Sequence, residues 1–529
     1  MKLGNILHII NGKLAYNGEN FKERDYYYAI ASDLMSNVLL EAAETSILIT
    51  SLVNAQVIRA SEMMNITCIV LTCGKKVTDV MVDLAKTRKI ALVETPHTTF
   101  NVCGILHSRG LIEEKGRPNF ENLTSIKLLP EACIGCTHCM KKCPTEAIRV
   151  KNWVASIIPE RCIDCGQCVK VCPTKAARPV VESLDRLNDY EYKIAIPSSA
   201  FFAQFKEMKS RNHALTALKK VGFDEVYEEA IGAEMISAAT RKFFSTGDFE
   251  KPLISATCPA VVKLIEIRFP NLIDRLSATR PPVEVVASII REKMEKQFPE
   301  KKIGIFYIAP CTAKVSVIKE DEDNSDVDVI VGIRQVYKTV RSILKELKDE
   351  EVEDLEQSGI MGLRWANVGG ECLALNTDRF IAVDGIEEVI NILEKIDDNK
   401  LEGVDFVEAD ACIGGCLGGS LAVENVYSAK TNLKKVVDEA KLKYGMEILN
   451  TAENESALKR NREIISRPVL QLDSDLAVAI KKMEEVGRIM GLLPGIDCGA
   501  CGAPTCRAFA EDVVRGFLTE KDCIVNRNN

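Results

Sequence analysis

Eight of the chain's twenty cysteines fall in two copies of one pattern. The first is CIGCTHCMKKCP, carrying Cys133, Cys136, Cys139 and Cys143, and the second is CIDCGQCVKVCP, carrying Cys162, Cys165, Cys168 and Cys172. Each copy reads C-x2-C-x2-C-x3-C-P. A fold for this chain must therefore bring eight closely spaced thiols into an arrangement that satisfies sulfur. Disulfides do not suit them, because a chain of 529 residues is long enough to bury its own cores and does not need covalent staples. Metal is the alternative. Zinc uses C-x2-C pairs, but a zinc site does not call for a doubled four-cysteine run with proline closing each copy.

Composition narrows the setting. With 47% hydrophobic and 27% charged residues the chain reads as ordinary globular protein, and its length implies three or four domains. A net charge of -8 repels polyphosphate backbones, so nucleic acid is not an expected ligand. No apolar run approaches the roughly 20 residues that span a bilayer, and the opening MKLGNILHII has too short an apolar stretch for a secretory signal. No membrane association is expected, and a cytoplasmic location is, where thiols stay reduced.

The remaining cysteines divide further. DCGACGAPTCRAFAEDVVRGFLTEKDC holds Cys498, Cys501, Cys506 and Cys523 as C-x2-C-x4-C-x16-C, with small residues that let the backbone fold tightly around a metal group; a structural zinc is the alternative. Between the groups, Cys258 stands in SATCPAVV, Cys311 in IAPCTAKV, Cys372 in GGECLALN, and Cys412 with Cys416 in DACIGGCLGG. An isolated cysteine such as Cys258 is ordinarily a small buried hydrophobe. Cys412 and Cys416, four residues apart among glycines, can approach one metal from a single side, and Cys258 with Cys311 would complete a third four-thiolate set. Cys68, Cys73, Cys103 and Cys372 stay outside every set. The apolar surroundings of ITCIVLTCG suggest core packing for the first two.

Three resemblances organise these groups. The doubled run resembles the bacterial two-cluster ferredoxin, where the fourth cysteine of each copy ligates the other cluster. That implies one 4Fe-4S cubane on Cys133, Cys136, Cys139 and Cys172, and another on Cys162, Cys165, Cys168 and Cys143. The last group resembles a small four-cysteine iron-sulfur domain attached to anaerobic redox proteins, implying a third accessory cubane. The three segments around Cys258, Cys311 and Cys412/Cys416 resemble the signatures of the iron-iron hydrogenase large subunit over roughly residues 120–425. In that family four thiolates hold a cubane and the last bridges to a two-iron unit with carbon monoxide and cyanide ligands; together these form the H-cluster, where dihydrogen is split or made. The resemblance gives Cys416 the bridging role. It makes Pro197 and Ser198, in AIPSS, candidate contacts to one cyanide, and Lys314, three residues after Cys311, the ammonium for the other; a solvated surface lysine is the bland reading of Lys314. It also implies a ferredoxin or other redox protein as electron partner, and hydrogenase maturation proteins to install the two-iron unit.

Departures from the family matter equally. Thr257 stands where active members have a second, proton-relaying cysteine. Counting along GAEMISAATRKFF puts Thr240 and Phe243 at the two relay glutamates, while the relay serine survives as Ser277 in RLSATRPP. Ala309 and Asp410 replace methionines and Val283 replaces a glutamine. Threonine cannot take up a proton near neutral pH and phenylalanine cannot carry one. The expectation is an H-cluster that turns over slowly, or a dihydrogen- or redox-responsive regulator acting through a partner, with Asp410 or Glu234 as another proton route; an electron carrier lacking the two-iron unit is a third reading.

The expected fold is multidomain α/β and α+β. Residues 1–115 alternate strand-like runs (TSILITSLV, ITCIVLTCG, KIALVETP) with helix-like ones (NAQVIRASEMMN, VTDVMVDLAKTR), a small parallel α/β domain resembling the DRTGG domain, although the literal string is missing. A regulatory partner could dock there. Then follow a two-cluster ferredoxin domain at 120–182, the hydrogenase α/β core at 188–428, a helical linker at 429–475 and a small helical C-terminal 4Fe-4S domain at 476–529.

Overall fold

A computed structural model describes residues 2–16, 26, 28–33, 46–64, 66–107, 112–113, 124–246, 249–320, 324–375, 377–452, 458–460, 464–467, 469–473 and 476–525. The chain divides into two compact units, 1–120 and 121–529. The expected boundary between 115 and 120 lies outside the described residues.

In the first unit, CIVL at Cys68–Leu71 and ALVE at Ala91–Glu94 are buried throughout, as strands covered on both faces must be. They lie centrally in a sheet of order Lys13–Tyr16, Ala91–Glu94, Cys68–Leu71, Ser46–Thr50, Tyr28–Ala31, Ile112–Glu113 among the described residues. All are parallel except Lys13–Tyr16, which runs antiparallel along Ala91–Glu94 and corrects the expected all-parallel sheet at that edge. Helices Ala55–Met63 and Asp79–Arg88 pack on one face, Leu3–Ile9 and Thr99–His107 on the other. Asn54 and Thr78 cap the first two by accepting from free backbone N–H groups of the opening turn. Cys68 is fully buried in its strand, as expected. Cys73 is not: it stands exposed just past the strand end, at φ 61°, because the chain must turn there.

In the second unit the two cysteine runs fold alike. Each leads into a short helix, His138–Lys141 or Gln167–Val171, and the backbone takes left-handed conformations at matching places: Gly135 and Asp164, Thr137 and Gly166, Glu146 and Lys175. Ile126–Leu128 pairs antiparallel with Ala177–Pro179, joining the ends of the module, and Ile148–Lys151 forms a hairpin with Val154–Ile157.

The core that follows holds two parallel sheets. One has the order Glu225–Val226, Tyr192–Pro197, Ile303–Ala309, Val329–Gly332, with Tyr192 opposite Ile303 and Pro197 opposite Ile308. Its central strand, IGIFYIA, is wholly buried. The other sheet has the order Leu253–Ile254, Phe406–Asp410, Phe380–Asp384. The segment expected to begin a linker at 429 is instead part of helix Val426–Tyr444, whose Ala429, Leu433, Val436, Val437 and Ala440 are buried in the core. Farther on, helices Leu476–Leu492 and Cys506–Val514 pack together around Val486, Ile489 and Ala510. No helix among the described residues is long and apolar enough to cross a membrane.

Candidate functional site

The carboxyl ends of parallel strands are where loops converge and ligands bind in open α/β sheets. Both core sheets aim theirs at one place. Tyr192–Pro197 runs into Ser198 and Ser199, Ile303–Ala309 into Pro310 and Cys311, Leu253–Ile254 into the Cys258 segment, and Phe406–Asp410 into Cys412. Cys258, Cys311, Cys412 and Cys416 are thereby gathered closely enough to influence one another's ionisation. Burial pushes the Cys258 thiol up to about 12, aided by the charge of Asp410, and pushes Cys311 up to about 11, aided by Cys412. Burial also drives Cys416 well above the ordinary thiol range against the pull of Lys314. Such thiols stay protonated until something positive replaces the proton, which is the behaviour of metal ligands awaiting metal.

The other sets gather similarly. Cys139 feels Cys136, Cys133 and Cys172, and Cys162, Cys165 and Cys168 all feel Cys143, with Cys168 also feeling Cys139, so the eight cysteines that the ferredoxin resemblance divides between two clusters lie close together. Cys143 and Cys172 accept matching backbone hydrogen bonds, from Ala147 at 3.2 Å and Ala176 at 3.1 Å. Cys498, Cys501, Cys506 and Cys523 line one small hollow. Among the described residues, no His, Cys, Asp or Glu group closes tightly around a single ion.

Beside Cys416 lies a small hollow lined by Thr257, Ser199, Ala200, Glu229, Lys314 and Trp365 among others. Lys314 is buried, not a solvated surface lysine, and its Nζ donates to Glu229 at 2.7 Å. Burial opposes its charge, but Glu229, Tyr307 and Cys416 together outweigh that and hold the ammonium well above the usual lysine range. Glu229 also accepts from the Tyr307 hydroxyl at 2.9 Å and the Ser199 backbone N–H at 3.3 Å. Ser198 is buried and its hydroxyl has no partner, an orphan that an acceptor ligand would satisfy. Cys416 and the charged Lys314 line this hollow, and the other three cysteines of the set lie close by, an arrangement that suits an anionic iron-sulfur centre.

Not every expected residue arrives there. Pro197, which ends its strand, and Ser198 after it do not line the hollow, where Ser199 and Ala200 do. Ser277 bonds Thr279 at 3.1 Å, and Thr240 is buried along helix Glu229–Thr246; neither lines the hollow. Phe243 is 42% exposed and its ring lies 5.2 Å from that of Phe249. Glu234 is held by Gly359 N–H at 3.0 Å and Asn450 Nδ2 at 2.7 Å, away from the hollow. Asp410 is half-buried near Glu408, Lys314 and Cys258, and desolvation followed by the charge of Glu408 raises its carboxyl well above normal. Ala309 and Val283 are plain core residues.

Sequence reasoning missed three carboxylates: Glu229, Glu371 and Glu408. Glu371 is buried on helix Gly370–Leu375, accepts from Ser255 Oγ at 2.6 Å and is also hydrogen-bonded by Thr257. Burial and then the neighbouring Glu408 push it up to about 8. Glu408 in turn accepts from the backbone of Gly369 at 2.7 Å and Cys372 at 2.8 Å, so Cys372 serves packing and not a metal. The one signal available was a glutamate between glycines and a lone cysteine in GGEC, which spacing rules do not read.

Comparison with known proteins agrees with this layout. Residues 191–377 and 336–420 match the family model described as iron only hydrogenase large subunit, C-terminal domain. Residues 125–173 match a 4Fe-4S dicluster domain, 493–525 a putative Fe-S cluster segment, and 5–108 the DRTGG domain. The chain is similar to the NADP-reducing hydrogenase subunit HndD of Solidesulfovibrio fructosivorans, 23% identical over 62% of this chain and 61% of that protein. It is similar to iron hydrogenase 1 of Clostridium pasteurianum, 22% identical over 42% of this chain and 47% of that protein. It also matches the cytosolic Fe-S cluster assembly factor NAR1 of Saccharomyces cerevisiae, 26% identical over 26% of this chain and 30% of that protein. The matches thus span under two thirds of these relatives' lengths. Among solved structures, [FeFe]-hydrogenase HydA1 from Chlamydomonas reinhardtii aligns with 14% identity and a TM-score of 0.38, over 52% of this chain and 95% of that one. The chain is an iron-iron-hydrogenase-like iron-sulfur protein, in which an iron-only hydrogenase domain is joined to a 4Fe-4S dicluster module, a further Fe-S segment and a DRTGG domain.

Proposed function

We propose that Cys258, Cys311, Cys412 and Cys416 hold the cubane of an H-cluster, with Cys416 bridging to a two-iron unit in the hollow beside it. The observation that carries this reading is the buried Lys314, kept charged by Glu229 against the same cavity as Cys416. Bound there, the two-iron unit would supply the centre at which dihydrogen is oxidised or protons are reduced. Lys314 and the Ser198 hydroxyl would anchor its anionic ligands, and Trp365 with Ala200 would keep bulk water out. The other cysteine sets would hold three accessory cubanes that pass electrons to and from a ferredoxin or other redox protein, and maturation proteins would deliver the two-iron unit.

Proton delivery is the weak link. Thr257 holds a hydrogen bond but no mobile proton, and Phe243 carries none, so the inherited relay is interrupted. Glu371, hydrogen-bonded by Thr257 and shifted toward neutrality, is the residue best suited to exchange protons with the hollow, and a single carboxylate behind a threonine supports slow turnover. The same interruption favours a second reading, a dihydrogen- or redox-responsive regulator whose state is sensed by a partner through a terminal domain.

The test is hydrogen evolution from reduced viologen by the matured protein, before and after Thr257→Cys. We expect a low rate that rises, on the order of 10²-fold or more, when a proton-carrying thiol faces the hollow. A high rate in the unaltered chain overturns the slow-site reading, and absence of carbon monoxide and cyanide infrared bands after maturation reduces the chain to an electron carrier.

A further inference from the structure

Lys170 lies on helix Gln167–Val171, between Cys168 and Cys172 of the dicluster module, and its Nζ donates to Cys412 Sγ at 3.3 Å. The ammonium therefore spans from one cysteine set to another 242 residues farther along the chain. Although the side chain is exposed, its base is not free to wander. The preceding loop is locked into the hydrogenase domain: Thr312 Oγ1 donates to the Asp164 carbonyl at 2.6 Å, and Lys263 Nζ donates to Asp164 Oδ2 at 3.0 Å. Gly166, at φ 72°, sits so close to Ser420 and Thr312 that a Cβ there would overlap the Ser420 side chain. Thr312 follows Cys311 directly and Ser420 closes the glycine segment after Cys416, so the loop is clamped by the same segments that carry the site. Cys165, in that loop, is near enough to Cys412 to raise its own thiol further.

We propose that Lys170 is a positioning residue for electron transfer, whose ammonium on Cys412 raises the reduction potential of the cubane held by Cys258, Cys311, Cys412 and Cys416. The inference rests on the reading that those four thiolates hold a cubane. Reduction adds one negative charge to a cluster, and potentials follow net charge and hydrogen bonds to the sulfurs. A cationic donor on a ligand thiolate stabilises the reduced form, so an electron arriving from the cubane of Cys143, Cys162, Cys165 and Cys168 is drawn onward.

The experiment is a redox titration of the matured full-length protein followed by electron paramagnetic resonance and infrared spectroscopy, for Lys170→Gln and Lys170→Arg beside the unaltered chain. For Lys170→Gln the reduced-to-oxidised ratio of this one cubane at fixed potential should fall roughly three- to tenfold, a tenfold change being 59 mV for one electron. Lys170→Arg, which keeps a charged donor, should restore most of it, and the accessory cubanes should not move. An unchanged potential in Lys170→Gln, or a shift confined to the neighbouring accessory cubane, overturns the proposal. An unaltered chain that assembles three cubanes and no fourth overturns the underlying ligand assignment as well, and is recognised before any variant is made.

Discussion

At the scale of single residues, function turns on which buried groups can hold a proton. Glu371 is pushed up to about 8, first by burial and then by Glu408, far above the ordinary carboxylate value of about 4.3. Any stability it contributes is present below that ordinary value and is lost as pH rises through about 8, because the folded state then has to accept a buried charge. Proton donation toward the hollow follows the same direction: hydrogen evolution should fall as pH rises past about 8. Glu371→Gln keeps a hydrogen-bonding amide but cannot exchange a proton, so evolution should drop by about 10²-fold and the alkaline fall should flatten, read from pH profiles of the two proteins. Lys314 was singled out by the family resemblance, but its partner Glu229 was not. An acidic residue 85 positions away becomes its counter-ion only when helix Glu229–Thr246 is laid across the strand ends.

At the scale of elements, the last iron-sulfur segment is docked against the dicluster module. Arg149 grips Asp512 through two hydrogen bonds, at 2.5 and 3.1 Å, with both side chains largely buried. Val150 N–H donates to the Gly502 carbonyl at 3.0 Å, and Thr505 reaches Glu146 at 3.1 Å. Breaking a buried pair by removing one partner costs about 3–5 kcal/mol, since the other charge is left stranded. Arg149→Ala should therefore release the C-terminal segment, seen as faster proteolytic cleavage after residue 470 while the dicluster signals persist. Gly502→Ala should do the same by another route, because at φ 88° its Cβ would collide with the Val150 carbonyl. The kinship of the two cysteine runs was readable from their shared spacing, whereas their matching left-handed residues were not. The helix Val426–Tyr444 was misjudged as linker because its charged face dominates the sequence, while the stripe from Ala429 to Ala440 that enters the core is only five small and medium apolar residues.

At the scale of the whole molecule, the cysteine sets imply about eighteen irons per chain, four for each of four cubanes and two more in the hollow. Iron analysis of the matured protein checks this, and a value near sixteen would mean that the two-iron unit is missing. Because residues 1–120 form a compact unit with their own buried clusters, a chain starting after them should keep its iron content and its viologen-linked rate unchanged, measured on the purified truncated protein. By itself the sequence sorted the cysteines into spaced runs, since such spacing is a local property of the chain. It also gave the α/β character of the first unit, where strand-like apolar runs alternate with helix-like ones. What only the tertiary structure decided is what surrounds the metal: Glu229 against Lys314, Glu371 behind Thr257, and Lys170 on Cys412. Those partners lie tens to hundreds of residues apart, and a buried charge leaves no periodic trace in the chain that carries it; its meaning is set by the dielectric and the neighbours that folding supplies.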